Sequence, residues 1–530
     1  MTYVELKKAY DAALQKCSEL EKKIEEKDLR IEHLTELVLK RNKMLFGQKS
    51  EKAKFINDGQ LTFEGIFNEA ESESDISAPE PTVEPVERKS GRTGRHRGRK
   101  EIRADLETKK VVYELPEDQL ICDVCGNAMT ELSVEYITTR LAVIPEKVYK
   151  IEYYRKVYKC RNCDRNGTKA NIVKAKNRTP ACIIRKGLPD ASLVADIMQR
   201  KYQLGEPLYR QEQYWKLRGV YLNRTSLANW IIAGASWFEP VIRRMKHHAF
   251  SEPVLNADET PTRVLKKDGK PNRKKGQMWV ICTGACASRK IALYVYRDSR
   301  RKAVAEELLR GYTGVVQTDG YQSYGSGDYE HAGCYAHLRR KLIDSIPEGD
   351  RTCASARIVA LLDKMAYHER MARENGYSYD SILEMRQSKV RPLVERVYEI
   401  MDTLRPSKDS SLDSAVTYAR NQKERLCLFL THPEVEMTNN LAEQTVKSYV
   451  INRKNFLFSD TEKGADASAA VMSIIETAKR NNLDVYGYLL FLLTVLPEWG
   501  KHPTDKQLDS LMPWSPALPS YCRQRYSEIC

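Results

Sequence analysis

The sequence predicts a multidomain α+β protein, in which a coiled coil, a cysteine-clamped module and a helical segment precede an α/β core that is itself interrupted by helices. Three observations predict it: an apolar repeat of alternating four- and three-residue steps near the start, two Cys-x-x-Cys pairs, and a strand-rich block after Pro253 set between helical stretches. At 530 residues the chain is too long for one core, and at about 100–200 residues per domain it should hold several.

The apolar repeat runs through Leu6, Tyr10, Ala13, Cys17, Leu20, Ile24, Lys27, Ile31, Leu34, Val38, Arg41 and Leu45, with Glu and Lys crowding the other positions. That is a heptad seam, and it predicts a coiled coil over residues 1–48. One long helix packed on its own protein fits the same pattern. The length of the seam without a proline favours self-association into a homodimer or higher homo-oligomer, with Lys27 and Arg41 weakening it and setting register or partner number. Residues 49–100 read as a linker. Its stretch 64–87 is acidic and rich in Ser and Pro, and buries too little apolar surface to offset chain entropy. The charge then reverses in Arg88, Lys89, Arg92, Arg95, Arg97, Arg99 and Lys100, interleaved with Gly91, Gly94 and Gly98. Such an arm suits phosphate contacts, with Arg97 and Arg99 fitting a narrow minor groove; a solvated run against its acidic neighbour fits it equally.

Residues 101–178 carry Cys122-x-x-Cys125 and Cys160-x-x-Cys163, the ligand type and local spacing of a tetrahedral all-thiolate Zn²⁺ site. Four thiolates leave no open position, so this zinc is expected to be structural. Val148, Ile151, Tyr153, Tyr154, Val157 and Tyr158 between the pairs suggest a zinc ribbon-like set of strands. Cys282 and Cys286 lack a matching pair and are expected in the core.

Residues 179–250 turn helical. Tyr209 to Leu217, a break at Gly219 and a second run from Arg224 to Ile232 resemble a helix-turn-helix, with Thr225 or Ser226 capping the second helix. Arg224, Thr225, Ser226 and Asn229 would then face DNA. A hairpin that merely packs gives the same pattern.

The charge balance agrees with a polyanionic partner, since 87 Lys and Arg against 72 Asp and Glu leave a formal +15. No apolar run approaches the roughly 20 residues of a membrane span, and no secretory signal opens the chain. A cytoplasmic, nucleoid-associated protein without membrane contact is expected, its thirteen cysteines reduced or metal-held.

From Pro253 the texture becomes strand-like, and residues 251–337 form the first part of the core. Val254-Leu255-Asn256-Ala257 leads into Asp258-Glu259-Thr260; Met278-Trp279-Val280-Ile281 and Ile291-Ala292-Leu293-Tyr294-Val295-Tyr296 follow. A helix through Ala303 to Leu309 precedes Gly314-Val315-Val316-Gln317-Thr318, which delivers Asp319-Gly320. Three strands, a helix and a strand are what an RNase H-like sheet requires, with acids at the ends of its first and fourth strands lying side by side. An Asp-Gly after a strand is usually a turn; two acids in matched contexts are harder to dismiss. Residues 338–430 read as an α-helical insertion, and 431–482 as the rest of the core. There Asn439-Asn440-Leu441-Ala442-Glu443 opens a helix, in which Asn440 as N-cap and Glu443 closing a capping box is the structural alternative to a third acid. Lys447 and Lys454, four and eleven residues on, share nearly the face of Glu443 and would grip phosphates there. Cys334 and His337 have half a zinc spacing but no second pair nearby, so packing or DNA positioning is the expected role, with Arg340 and Lys341 as phosphate ligands.

The order of motifs resembles the large transposase of the bacterial insertion sequence 66 family, a DDE-superfamily enzyme with an RNase H-like core. The resemblance rests on Leu45-Phe46-Gly47-Gln48-Lys49-Ser50-Glu51-Lys52, the cysteine pairs, Pro207-Leu208-Tyr209-Arg210-Gln211-Glu212, Asp258-Glu259-Thr260, Asp319-Gly320-Tyr321, Cys334-Tyr335-Ala336-His337, Asn439-Asn440 with Glu443, Arg453-Lys454-Asn455, and Met512-Pro513-Trp514 in a C-terminal element over 483–530. Thr438 and Gln444 depart from the family's common Asp and Arg, which bears on phosphate gripping and removes no acid. The resemblance implies a catalytic triad of Asp258, Asp319 and Glu443 and accessory element-encoded proteins. It also implies Asp258 bridging two Mg²⁺ (or Mn²⁺) ions, with Asp319 and Glu443 each holding one. Phosphodiester chemistry needs positive charge at both the attacking and leaving oxygens, which two such ions supply. The expected reaction exposes a 3′-hydroxyl at an element end and joins it to target DNA. A regulator that binds DNA without cutting, and a structure-selective nuclease on the same core, are the rival readings.

Overall fold

The computed structural model describes residues 16, 150–152, 154, 157–159, 172–174 and 181–523, apart from 185–186, 321–323, 325–326, 348–349 and 351. The expected coiled coil, the linker with Arg97 and Arg99, and Cys122, Cys125, Cys160 and Cys163 lie outside the described residues. The chain forms two compact units, one of residues 59–179 with 524–530, the other of 1–58 with 180–523. In the first, β1 (Val157–Lys159) pairs antiparallel with β2 (Ile172–Lys174); in sequence the two strands bracket Cys160 and Cys163.

The second unit opens with helices α1 (Ala191–Tyr202), α2 (Leu208–Leu217), α3 (Arg224–Ala235) and α4 (Glu239–Ala249). The expected hairpin is α2 and α3, but its cap is corrected: Asn223, and neither Thr225 nor Ser226, accepts from the Ser226 amide at 2.8 Å. An N-cap must lie outside the helix to reach back to its free amides, and Thr225 and Ser226 are already inside it. Val194, Met198, Leu227, Ile231 and Met245 bury their side chains in a core continuous with that of the sheet. The helices of 179–250 therefore have no separate interior of their own.

The sheet is built on β3 (Val254–Lys267), a long strand with a short hairpin partner β4 (Lys270–Pro271). Antiparallel to β3 lies β5 (Lys275–Thr283), and antiparallel to that lies β6 (Ala292–Arg297). After α5 (Lys302–Leu309), β7 (Val315–Gln317) returns parallel to the other side of β3, with β8 (Glu330–Ala332) parallel beyond it, giving the order β6-β5-β3-β7-β8. One expectation needs correcting: Asp258 sits well inside β3, not at its end, because pairing with β5 continues to Arg263. Pairing with β7 stops at Asn256 opposite Gln317, so on that flank Asp258 does emerge from the ladder. Cys282 is buried as expected. Cys286 is exposed, because β5 has ended and the chain turns at Gly284.

Helix α6 (Tyr335–Ile343) leads into the predominantly helical stretch expected before the last acid: α7 (Ala354–Glu374), α8 (Tyr379–Met385), a π-helical turn Arg386–Val390, α9 (Arg391–Thr403), α10 (Ser411–Asn421) and α11 (Lys423–Cys427). Its apolar core, including Leu362, Met365, Val397, Met401 and Phe429, runs on to Val254, Val315 and Ala332 of the sheet. The chain then returns through α12 (Asn440–Phe456), β9 (Ser459–Thr461), α13 (Glu462–Arg480), α14 (Val485–Trp499) and α15 (Asp505–Leu511). β9 pairs parallel with the far end of β3, Val264 opposite Ser459. The open edge of β6 is closed by hydroxyls on α13: Ser473 Oγ accepts from the Tyr294 amide at 2.8 Å and Thr477 Oγ1 from that of Ala292 at 3.0 Å. An unpaired strand edge invites association, and these bonds occupy it. Among the described residues no helix is long and apolar enough to cross a membrane.

Candidate active site

Side chains alternate along a strand, so Asn256, Asp258, Thr260 and Thr262 share one face of β3. Two hydrogen bonds lay α12 along that face. Asn256 Nδ2 donates to Asn439 Oδ1 at 2.8 Å, and farther on Thr262 Oγ1 meets the Tyr449 hydroxyl at 2.7 Å. Asp258 lies between the two pins on the strand, and Glu443 lies between them on the helix. Asn439 Nδ2 donates to the Ala257 carbonyl at 3.0 Å, and Asn256 Nδ2 also reaches Gln317 Oε1 at 3.1 Å, tying β3, β7 and α12 into one buried polar network. The capping-box alternative is thereby corrected: Asn439 takes the N-cap position, its side chain serves the strands, and no side-chain cap bond forms.

Asp319 follows two residues after Gln317, the last β7 residue paired with β3, as Asp258 follows Asn256, and the Asp319 charge acts on the Asp258 carboxyl. The backbone turns sharply there, with Gly320 at φ +88°, where a Cβ would stand 3.0 Å from the Tyr418 hydroxyl. That hydroxyl, from α10, donates to the Asp319 carbonyl at 3.0 Å, so the helical insertion holds the second acid in place.

Burial raises the Asp258 carboxyl to about 7, against the stabilising Glu259 amide, and the charges of Glu259, Asp319 and Glu443 push the same way. Asp258 therefore feels the charge of both other predicted acids. Glu259, on the opposite face, is pushed up by burial but engaged elsewhere, with the Tyr324 hydroxyl donating at 2.5 Å and Arg300 as its ion-pair partner. Period-two alternation thus separates the acid that faces α12 from its neighbour.

Glu443 Oε2 lies 3.6 Å from Arg340 on α6, and Oε1 lies 3.8 Å from His337 Nδ1; neither Oε1 nor Nδ1 makes a hydrogen bond. Burial pulls the His337 pKa down, opposed by Asp319 and Glu443. Cys334, N-cap of α6, is buried with its Sγ accepting from the Asn439 amide at 3.1 Å; burial raises its thiol pKa while nearby amides lower it. Lys341 turns toward the insertion, donating to Ser414 Oγ at 3.1 Å.

The remaining predicted contacts are spread more widely. Arg224, Thr225 and Asn229 are exposed and Ser226 half-buried on the first turns of α3. Lys447 and Lys454 are exposed and Arg453 half-buried on α12. At about 1.5 Å per residue, Lys454 stands roughly 16 Å along the helix from Glu443. Sequence reasoning missed Asn256, Gln317 and Tyr418 as positioning groups. The legible signal was Asn256, a polar residue within an apolar strand and two positions before Asp258.

A family model described as "Transposase IS66 family" matches residues 186–467, more than half the chain and including every residue of this site. The chain belongs to the IS66 transposase family. Three further models of the same family match elsewhere: a zinc-finger binding domain over 119–164, spanning all four knuckle cysteines, a C-terminal element over 473–514, and "Transposase C of IS166 homeodomain" over 33–111. The IS66-family chain is 29% identical over 514 residues to uncharacterized protein y4qI of Sinorhizobium fredii, covering 92% of this chain and 89% of that one. It is 27% identical to y4hP of the same organism, covering 89% of this chain and 86% of that one. A third relative there, y4jD, is 28% identical over 74% of this chain and 78% of its own.

Proposed function

We propose that this IS66-family chain is a DDE transposase that binds insertion-element ends, cuts them and transfers the strand into target DNA, with Asp258, Asp319 and Glu443 as its catalytic acids. The observation that supports the reading most is that the charges of Asp319 and Glu443 both act on Asp258, with α12, which carries Glu443, hydrogen-bonded to β3 on either side of Asp258. An RNase H-like core is supported by the strand order β6-β5-β3-β7-β8, with its first three strands antiparallel and the last two parallel to β3.

The donor set fits hard divalent ions. Burial, with the charges of Asp319 and Glu443 pushing the same way, leaves Asp258 holding a proton near neutrality, and Glu443 Oε1 is buried without a hydrogen bond. Mg²⁺ or Mn²⁺ held by Asp258, Asp319 and Glu443 would supply the positive charge that phosphodiester cleavage requires at the attacking and leaving oxygens. The chain's own groups do the rest. Asp258 gives up its proton as the site fills. Asn439 and Asn256 fix the distance from α12 to β3. Arg340 places a positive charge beside Glu443, and Lys447, Arg453 and Lys454 offer phosphate grips along the same helix. DNA contacts by Arg97, Arg99, Arg224, Thr225, Ser226, Asn229 and Lys341, a structural Zn²⁺ on Cys122, Cys125, Cys160 and Cys163, self-association through residues 1–48, and accessory element-encoded proteins complete the proposal.

The direct test is to incubate the full chain with DNA carrying the element ends, in Mg²⁺, and map the 3′ ends formed. Nicks at the element boundary, followed by joined products, are expected; binding without nicks would favour a regulator, and cutting without regard to end sequence a structure-selective nuclease. The pH dependence has a definite sign. The ions need Asp258 deprotonated, and its carboxyl titrates at about 7, so the Mg²⁺ concentration giving half-maximal cleavage should fall as pH rises through that value and level off above it. A Mg²⁺ requirement independent of pH between 6 and 8, on the order of one unit either side, would contradict it.

A further inference from the structure

Glu443 faces two ways. Its Oε2 has Arg340 beside it, whereas Oε1 looks toward His337 Nδ1, and both of those atoms are buried without hydrogen-bond partners. Cys334 Sγ completes a group of three ligand atoms that all lie within 4.8 Å of one another. Such a trio differs in chemistry from the carboxylate set. Thiolate, imidazole and carboxylate together are the donors of Zn²⁺, Co²⁺ or Cd²⁺, and Mg²⁺ takes neither sulfur nor readily nitrogen.

We propose that Cys334, His337 and Glu443 form a second cation site, for a borderline-soft divalent ion such as Zn²⁺, which draws Glu443 away from the hard-ion site. Three features of the fold build it. Cys334 is the N-cap of α6 and His337 lies three residues on, so one helical turn brings sulfur and imidazole together. The Asn439 amide that donates to Sγ fixes the sulfur, and the same residue opens the helix that carries Glu443. A tetrahedral ion with bonds of about 2.0–2.3 Å sets its ligands roughly 3.3–3.7 Å apart. The His337–Glu443 separation of 3.8 Å is nearly there, and the sulfur has only a short distance to close.

With three protein ligands, the fourth position remains open to water or to a phosphate oxygen of bound DNA. Binding displaces one proton, from the Cys334 thiol to solvent, and changes no oxidation state. Because Glu443 belongs to both sets, the two ions compete for it, and Zn²⁺ is an inhibitor of the Mg²⁺-supported reaction. That last consequence rests on the proposed nuclease function; the site itself does not.

The test uses the full chain titrated with Co²⁺, read by thiolate-to-cobalt charge-transfer absorption and by the number of Co²⁺ bound. Wild type is expected to bind one more thiolate-ligated Co²⁺ than either Cys334→Ser or His337→Ala, while Asp258→Asn keeps it and Glu443→Gln holds it at least ten-fold more weakly. Any contribution from the cysteine knuckles is common to all five proteins and cancels. Circular dichroism checks each variant's fold, and His337→Ala, a partly exposed position, serves should Cys334→Ser not fold. Superimposable Co²⁺ spectra of wild type and folded His337→Ala overturn the proposal. A second arm adds Zn²⁺ to the Mg²⁺ cleavage assay, where His337→Ala should need at least ten-fold more Zn²⁺ for half inhibition. Loss of cleavage in wild type would count against the nuclease reading and leave the cobalt measurement intact.

Discussion

Asp258→Asn should abolish cleavage and at the same time raise the melting temperature of the ion-free protein at alkaline pH. The two effects have one cause. The carboxyl is buried and surrounded by like charge, and it titrates at about 7 in the folded state. Between roughly pH 4 and pH 7 the folded chain therefore binds more protons at this residue than the unfolded chain does, so stability falls as pH rises across that window and is level above it. Asn removes the charge and keeps the shape. In Mg²⁺-free buffer at pH 8 it should exceed wild type by up to a few kcal/mol, and the two should converge near pH 4. Mg²⁺ should then raise the wild-type melting temperature and leave that of Asp258→Asn nearly unchanged, because an ion stabilises only the state that binds it. Removing a ligand that brings several kcal/mol of charge stabilisation to the transition state should cost about a thousandfold or more in cleavage rate. Equal melting temperatures across the pH range, with or without Mg²⁺, would show that Asp258 feels no such burden.

Arg386→Met should be among the most destabilising single changes in the helical insertion. Arg386 sits in the π-helical turn after α8 with only 3% of its side chain exposed, paired with Glu369 at 6%. All five guanidinium N–H groups are used: two bonds to the Glu369 carboxylate at 2.8 and 2.7 Å, and three to the carbonyls of Phe429, His432 and Val435. Methionine fills similar space but strands a buried carboxylate and three carbonyls, at a cost of about 3–5 kcal/mol. Lys should rescue little, since an ammonium cannot reproduce the planar fork. Those carbonyls belong to the chain segment that runs into Asn439, so cleavage should fall together with stability. Urea unfolding is the measurement, and an Arg386→Lys protein within about 1 kcal/mol of wild type would show that the geometry of the fork is unimportant.

How much of the fold and site is legible in the sequence varies with the range of the interaction. The strands of the sheet are readable because apolar runs bounded by turn residues report local burial, and the two aspartates stand out beside them. Glu443 has the right residue type but an equally good local explanation as part of a cap. Only the long-range bonds of Asn439 to Asn256 and Ala257 remove that explanation, and no periodicity encodes a contact across 183 residues. The cap of α3 lies two or three positions before the expected residues for a related reason: Asn223, Thr225 and Ser226 are all competent caps, and the choice among them is made by where the chain first turns. Cys286 falls outside the core because composition alone does not say where a strand stops.

The Asn256–Asn439 bond also dictates an order of events during synthesis. A polypeptide released at any point before Asn439 holds Asp258 and Asp319 but has nothing to close over them, and a chain ending before Ser459 leaves the far end of β3 without its parallel neighbour. On the proposed reading, cutting competence arrives late, after the whole helical insertion has been made and folded back, and an unfinished copy is unarmed.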